Sequence, residues 1–559
     1  MASTDHVRPP GLRIDGTRRA ALLFLALALV LSWPLALHLP NGLINDNADA
    51  HLFLWTLAWD THAFLSQPLA IFDANIYYPQ ARTLAYSENA IGSAIFAAPI
   101  LWLTGNPVLA LNLVLLFCIV TSGVGAFVLA RRLGLGVPAA ILCGIVFAFS
   151  PPRFFRIAQL HLTAIQWLPL ALAALHAYLD HGRARHVRWW AALFTLQALA
   201  SGHGAVFLIL ATGSLLAYRF ALGEPLRPVQ RARDLGLVGA ALLLPTAIAF
   251  IPYRAVQVEM GLRRSLVNWA PSPESFLAAP THVQRALLSI AGRTDVLAAA
   301  DAYLFPGFLP LLLACAALTY RAPGWRMDMR AFYVLLTLVS LLLSMGPPLG
   351  IWPFVYWIPG LNFIRVPSRF TILAVLGLAV LAAFGFERLT RRFSPAIVRV
   401  LAVGAGVLLV AEFAATPLRI HPFAIERPAA ERWLAAQPTP FSVVEIPVAR
   451  SERTHTRYML HSMLHWQKTV HGYSGIRPRL HTELYGRLRT FPNDAALEIL
   501  ERLGVDYLIA HADLYPSGEW AKVDEWLKAF APRLALVHAE ENDRVYRLVH
   551  AAGSGAPRP

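Results

Sequence analysis

Charge is what this 559-residue sequence has least of: Asp, Glu, Lys and Arg together make up 14% of it, against about 25% in ordinary soluble domains. With 57% hydrophobic residues, a soluble fold would have too little polar surface to cover itself. The composition therefore points to a membrane protein. Lysine is nearly absent: Lys468, Lys522 and Lys528 are the only three among 48 basic residues, and the rest are arginine. Cysteine is as scarce. Cys118, Cys143 and Cys315 each sit inside an apolar run with no paired spacing, so neither a disulfide framework nor a cysteine metal site follows. There is no GxxxxGK[S/T] and no GxGxxG sequence, hence no support for direct use of ATP or a dinucleotide. No internal repeat is evident.

The net charge of +15 is distributed as short arginine clusters between apolar runs, at Arg131-Arg132, Arg183/Arg185/Arg188, Arg227/Arg231/Arg233 and Arg388/Arg391/Arg392. This is the pattern that the positive-inside rule produces in membrane proteins. A nucleic-acid partner would need one continuous basic face, and none is expected.

Charge-free runs long enough to cross a hydrocarbon core begin at Ala20–His38. They continue through Asn89–Ala130, Leu133–Pro152, Ile157–Leu179, Trp189–Tyr218, Leu235–Tyr253, Ala302–Tyr320, Ala331–Ile364, Phe370–Phe386 and Phe393–Ala411. Breaks at Gly105–Pro107 and Ser201–Gly204 divide two of them. Segmentation alone gives 12 spans, whereas the arginine-rich loops require an odd number. The expectation is 11 to 13 spans over residues 20–411, with residues 1–19 cytoplasmic and a first extracytoplasmic loop at 39–86.

From Glu412 onward polar residues become frequent. A strand-like run Phe441–Val448, a helical stretch Asp494–Leu503, a strand Asp506–His511, a helix near Gly518–Phe530 and a hairpin over Ala535–Leu548 follow. This alternation predicts a small extracytoplasmic α/β domain over 412–550, with a disordered tail at 551–559. The fold class expected is an all-α polytopic membrane domain followed by that α/β domain.

The first loop is acidic: it holds Asp46, Asp49, Asp60 and Asp73, with Glu88 just beyond it, against a single Arg82. Leu52, Trp55, Ala58 and Trp59 recur near helical spacing, which predicts an amphipathic helix lying at the membrane surface. A carboxylate above the bilayer can act as general base on an acceptor hydroxyl, or ligate a divalent cation that steadies a phosphate leaving group. The other role open to Asp46 or Asp49 is capping the helix start.

The sequence DNADAH, the Trp-rich helix after it, and then FDANIYYP and YSEN together resemble the GT-C class of integral membrane glycosyltransferases, in a poorly characterised bacterial branch. The resemblance implies a polyprenyl-phosphate-linked sugar donor and a lipid, glycan or protein acceptor. It also implies a multi-pass location in the bacterial inner membrane, among membrane lipids, and a catalytic carboxylate in the first loop. The pair Asp46-Asn47-Ala48-Asp49 is one residue wider than the Asp-x-Asp of that class. Asp49, nearer the helix start, is the favoured base and Asp46 the second choice. A divalent cation is compatible with such a site but not required. The Trp-Trp-Asp motif of oligosaccharyltransferases is absent from the C-terminal domain, which argues against protein N-glycosylation.

Glu88, His51 and His161 are candidate substrate-binding residues, and His203 sits in the SGHG break. Arg263-Arg264 and the pair Arg365 and Arg369 are candidates to hold the donor phosphate, since a guanidinium fork matches phosphate oxygens. Contact with lipid headgroups is the other use for them. In the C-terminal domain His461 and His465 are four apart, but no glutamate completes a His-Glu-x-x-His motif and a zinc protease is not supported. A lipid or sugar-lipid transporter, and a non-catalytic assembly protein on the same scaffold, are the alternative functions. Transporters usually show internal repeats and polar residues at mid-membrane, and neither is evident here.

Overall fold

The computed structural model describes residues 16–222, 233–261, 270–319, 328–347, 349–358, 361 and 364–549. The chain forms two compact units. The first comprises Met1–Leu39, Asn112–Ile248 and Arg263–Ile420; the second comprises Pro40–Leu111, Ala249–Leu262 and His421–Pro559.

The first unit is helical. Among the described residues of the chain, six helices are long and apolar enough to cross a membrane: Pro107–Arg132, Leu160–His181, Gly202–Ala221, Ala240–Glu259, Pro367–Thr390 and Pro395–Phe413. Shorter apolar helices lie at Val137–Phe149, Phe308–Leu318 and Met329–Ser344, and at Ile91–Thr104, which belongs to the second unit. Burial divides the long ones. The apolar window of Pro367–Thr390 is 89% buried, whereas those of Ala240–Glu259 and Pro395–Phe413 are only 11% and 17% buried. Such exposed apolar surface is stable only in lipid. The buried Pro367–Thr390 helix packs against Phe308–Leu318 and Met329–Ser344 through its glycines. A Cβ on Gly385 would lie 1.7 Å from the Leu313 carbonyl oxygen, and one on Gly377 would lie 2.2 Å from Thr337 Oγ1.

The second unit is built on a mixed sheet. A short antiparallel pair, β1 (Gly42–Leu43) with β2 (His421–Pro422), joins the first loop to the start of the C-terminal region. Then β3 (Ser442–Ile446), β4 (Lys468–Thr469), β5 (Tyr507–His511), β6 (Leu534–Glu540) and β7 (Asp543–Leu548) form a five-stranded sheet in the order β4-β3-β5-β7-β6. β3 runs parallel to β4 and β5, and the β6–β7 hairpin closes the other edge antiparallel. One face carries Val444, Ile446, Leu508 and Ala510 against Leu484, Leu488, Leu497 and Leu500 of the helices Arg479–Leu488 and Asp494–Leu503. The other carries Val443, Ile509 and Val545 against Ala430 and Leu434. The α/β composition expected after Glu412 is present: β3, β5 and the β6–β7 hairpin fall on the expected runs, while the short β2 and β4 are not among them.

The first loop belongs to this unit and lies along the sheet. The backbone of 75–78, within the FDANIYYP stretch, pairs with the segment that contains β4. Thr469 N donates to the Asn75 carbonyl (2.7 Å), Tyr78 N to the Thr469 carbonyl (2.9 Å) and Tyr77 N to the His471 carbonyl (3.1 Å). That loop's backbone groups are thereby satisfied.

The helix Ala48–Ser66 corrects one expectation. It is not a surface helix: every residue from Ala50 to Thr61 is buried, with Trp55 1% and Trp59 2% exposed. Phe53, Leu54 and Leu57 make the second face apolar too, and a helix apolar all round is a buried one. The tryptophans pack inside the protein, Trp55 on Trp59 and Trp59 on Trp466, and Trp59 Nε1 donates to the Ile71 carbonyl at 2.9 Å.

Candidate active site

Asp46, Asp49 and His51 cluster at the N-terminus of that helix. Asn47, one of the two residues between the aspartates, caps it. Asn47 is in extended conformation (φ −135°, ψ 172°) and its side chain accepts the Ala50 amide at 2.9 Å, as an N-cap does. Capping is therefore done by neither aspartate, and Asp49 is left in the first turn, where a negative charge is favoured by the helix dipole.

The two carboxylates differ in their partners. The Tyr473 hydroxyl donates to Asp49 Oδ1 at 3.0 Å. Asp46 is held on both oxygens: His51 Nε2 lies 2.8 Å from Oδ1, and the Arg453 guanidinium donates to Oδ2 and, at 3.0 Å, to the Asp46 carbonyl. His51 is buried, and its other ring nitrogen lies 2.9 Å from Thr456 Oγ1. Burial lowers the imidazole's pKa, only partly opposed by Asp46. Nε2 carries a proton toward Asp46, since a carboxylate only accepts, while Nδ1 faces the hydroxyl of Thr456, which itself donates to the Arg453 carbonyl at 3.1 Å. Asp46 and His51 thus form a structural junction with the helix Glu452–His461, while Asp49 accepts from the Tyr473 hydroxyl.

Cavities lie among the described residues of this unit. Asp46 and His51 line one of about 380 Å³, with Glu426, Arg453, Arg457 and His461. A larger, mainly apolar one of about 820 Å³ is bounded by Leu65, Leu101, Trp102, Leu464 and Trp466. Asp49 lines neither of these two. Glu88 is buried beside Asn89, whose amide donates to the Tyr253 hydroxyl at 3.1 Å.

In the first unit, a second group of residues comes together. His203 Nε2 accepts from the Arg369 guanidinium at 2.6 Å, and the His161 ring lies 5.2 Å from that of His203. Arg156 donates to Ser368 Oγ at 3.3 Å, beside Arg369. Arg153 is 4% exposed and donates to the Phe147 and Thr163 carbonyls and to Ser122 Oγ. Burial pushes its guanidinium down to about 9, so it is still charged at neutral pH. Among the described residues no carboxylate is within ion-pair distance of it. Arg365 precedes the short 3-10 turn Pro367–Phe370 that carries Arg369, so the two arginines do not share a helical turn. Arg263 and Arg264 lie outside the described residues.

Sequence reasoning passed over Tyr473, Arg453, Arg153 and Arg156. The last two stand in Arg153-Phe-Phe-Arg156, between two apolar runs. His461 and His465 do not share a helix face: the helix ends at His461 and His465 pairs with Glu431 at 2.8 Å.

No family model matches the chain, and no curated protein matches it by sequence. Solved structures do. The arabinofuranosyltransferase AftD from Mycobacteria superimposes with a TM-score of 0.59 at 17% identity over 96% of this chain. The match spans only 40% of AftD's own length. The archaeal oligosaccharyltransferase AglB from Archaeoglobus fulgidus matches at 13% identity over 89% of this chain and 69% of its own, with a TM-score of 0.45. ArnT from Cupriavidus metallidurans, solved bound to undecaprenyl phosphate, matches at 13% identity over 97% of this chain and 100% of its own, with a TM-score of 0.46. The fold of this chain is GT-C-like.

Proposed function

We propose that this chain is an inverting membrane glycosyltransferase that moves a sugar from a polyprenyl-phosphate donor to an acceptor hydroxyl, with Asp49 as general base. The observation that carries the reading is the division of labour at the helix start: Asn47 caps, Asp46 is tied up by His51 and Arg453, and Asp49 is oriented by Tyr473. The GT-C-like fold supports the reaction class by analogy.

In the reaction, Asp49 takes the acceptor's hydroxyl proton as the acceptor oxygen bonds to the sugar's anomeric carbon. The bond from that carbon to the phosphate oxygen breaks, and the lipid phosphate leaves with the electron pair. A single displacement inverts the configuration. Arg369, Arg156 and the buried Arg153 have the chemistry to hold the phosphate, since charged donors in a dry setting stabilise developing anionic charge most strongly. His161 and His203 orient that group. A divalent cation is compatible with this step and not required by it. The proposal also places the chain in a bacterial inner membrane, with residues 1–19 in the cytoplasm and the first loop 39–86 and residues 412–550 outside it. The acceptor is a lipid, a glycan or a protein.

The experiment is reconstitution of the full chain in proteoliposomes with a panel of labelled polyprenyl-phosphate sugars. Release of lipid phosphate coupled to acceptor glycosylation is the expected result. Movement of intact donor across the bilayer without bond cleavage would replace this reading with a transporter.

A further inference from the structure

The pleat of the C-terminal sheet puts polar side chains where an apolar core would cost less. Glu445 shares a face of β3 with Val443, His511 a face of β5 with Ile509, and Asp543 a face of β7 with Val545. The register sets Glu445 opposite Ile509 and His511 opposite Asp543. His461, the last residue of the helix Glu452–His461, reaches the same point. Its Nδ1 lies 2.7 Å from Glu445 Oε2, and His511 Nε2 lies 2.9 Å from that same oxygen. All three residues are buried, at 0%, 2% and 2% exposure. Glu445 Oε1 has no hydrogen-bond partner among the described residues.

We propose that Glu445, His461 and His511 form a binding site for one divalent metal ion of the zinc class. The outer nitrogens of the two imidazoles carry the argument. His511 Nδ1 faces Asp543 Oδ1 at 2.7 Å and His461 Nε2 faces Glu426 Oε2 at 3.4 Å, so each ring has a carboxylate behind it and its other nitrogen turned to a shared centre. Proteins orient metal-binding histidines in this way. Two imidazoles and a carboxylate are a borderline-soft donor set that suits Zn²⁺.

The charge balance agrees. Without an ion, each inner contact to the carboxylate needs a proton on the imidazole. A divalent cation replaces those two protons at unchanged net charge, within a group that also holds Asp543 and Glu426. Tetrahedral ligands at zinc distances sit about 3.3 Å apart, so the imidazole–carboxylate spacing must open by about half an ångström. The unpartnered Oε1 gives the carboxylate a second oxygen with which to adjust. His461 and Glu426 line the 380 Å³ cavity, which supplies an entry path. Bound there, the ion would fasten β3 and β5 to the helix whose Arg453 and Thr456 hold Asp46 and His51.

The test is the metal content of the full chain purified in detergent without chelator, followed by chelation and readdition of ZnCl₂ or CoCl₂. The expected results are about one equivalent of zinc and a melting temperature that falls on chelation and recovers with Zn²⁺. Added Co²⁺ should give the intense visible bands of a tetrahedral site. Glu445→Gln and His461→Gln should lose the ion, while His538→Gln, on the β6–β7 hairpin, should keep it. If the site variants do not fold, the cobalt spectrum of the unaltered protein decides. No cobalt bands and no thermal response to Zn²⁺ would overturn the proposal, as would bands that persist in Glu445→Gln. None of these readouts depends on sugar transfer, so failure here and failure of the transferase reading are separable.

Discussion

The hydroxyl of Tyr473 donates to Asp49 Oδ1 at 3.0 Å, tying the first turn of a helix to a loop 424 residues further along the chain. Because Asn47 already caps that helix, the contact has no capping role. It fixes the orientation of one carboxylate. Removing a hydrogen bond to a charged group costs about 1.5–3 kcal/mol, and each ~1.4 kcal/mol is tenfold in rate. Tyr473→Phe should therefore lower kcat at least tenfold with little change in KM for the donor, measured by steady-state transfer.

Asp46 should behave differently. Asp46→Ala leaves the buried His51 Nε2–H without its acceptor, a loss of about 1–3 kcal/mol, and the melting temperature should drop. Asp46→Asn keeps an acceptor oxygen for His51 and should melt close to the unaltered protein. In both variants the folded fraction should keep transfer within a few-fold of normal. Thermal melts paired with activity per folded molecule check this.

Arg369 is expected to act on the donor. Arg369→Ala should raise KM for a polyprenyl-phosphate sugar tenfold or more, and Arg369→Lys should fall between, since it keeps the charge and loses the planar fork. Equal KM values across all three proteins would remove Arg369 from the phosphate site.

Asp60 makes a prediction about pH. Its carboxyl is fully buried with no hydrogen-bond partner among the described residues, and burial raises its pKa well above the usual carboxylate range. A raised folded pKa means that the folded state binds more protons than the unfolded one. Stability is then lost as pH climbs above the unfolded value near 3.9. Asp60→Asn should accordingly gain melting temperature over the unaltered protein as pH rises from about 4 to 8, with the difference vanishing near pH 4.

What could be read in advance followed from local signals. The strands β3 and β5, the helix Asp494–Leu503 and the hairpin turning at Glu541-Asn542 are all written in short-range alternation and turn residues. The burial of Ala48–Ser66 was misread because Trp55 and Trp59 at helical spacing suit an interface as well as a core. The apolar Phe53, Leu54 and Leu57 on its remaining faces carried the distinguishing signal. Asn47 was legible as a cap but stood between two more conspicuous aspartates. Tyr473 and Arg453 were not legible at all, since contacts spanning 424 and 407 residues leave no trace in one sequence.

The central claim is that Asp49, and not Asp46, is the base. Its most direct test is the initial rate of sugar transfer by Asp49→Asn beside Asp46→Asn, in proteoliposomes with matched amounts of folded protein. The account predicts that Asp49→Asn loses transfer by about three orders of magnitude or more, in the range of an essential general base. Asp46→Asn should stay within a few-fold of the unaltered protein. Transfer retained by Asp49→Asn, or lost only in Asp46→Asn, would contradict it.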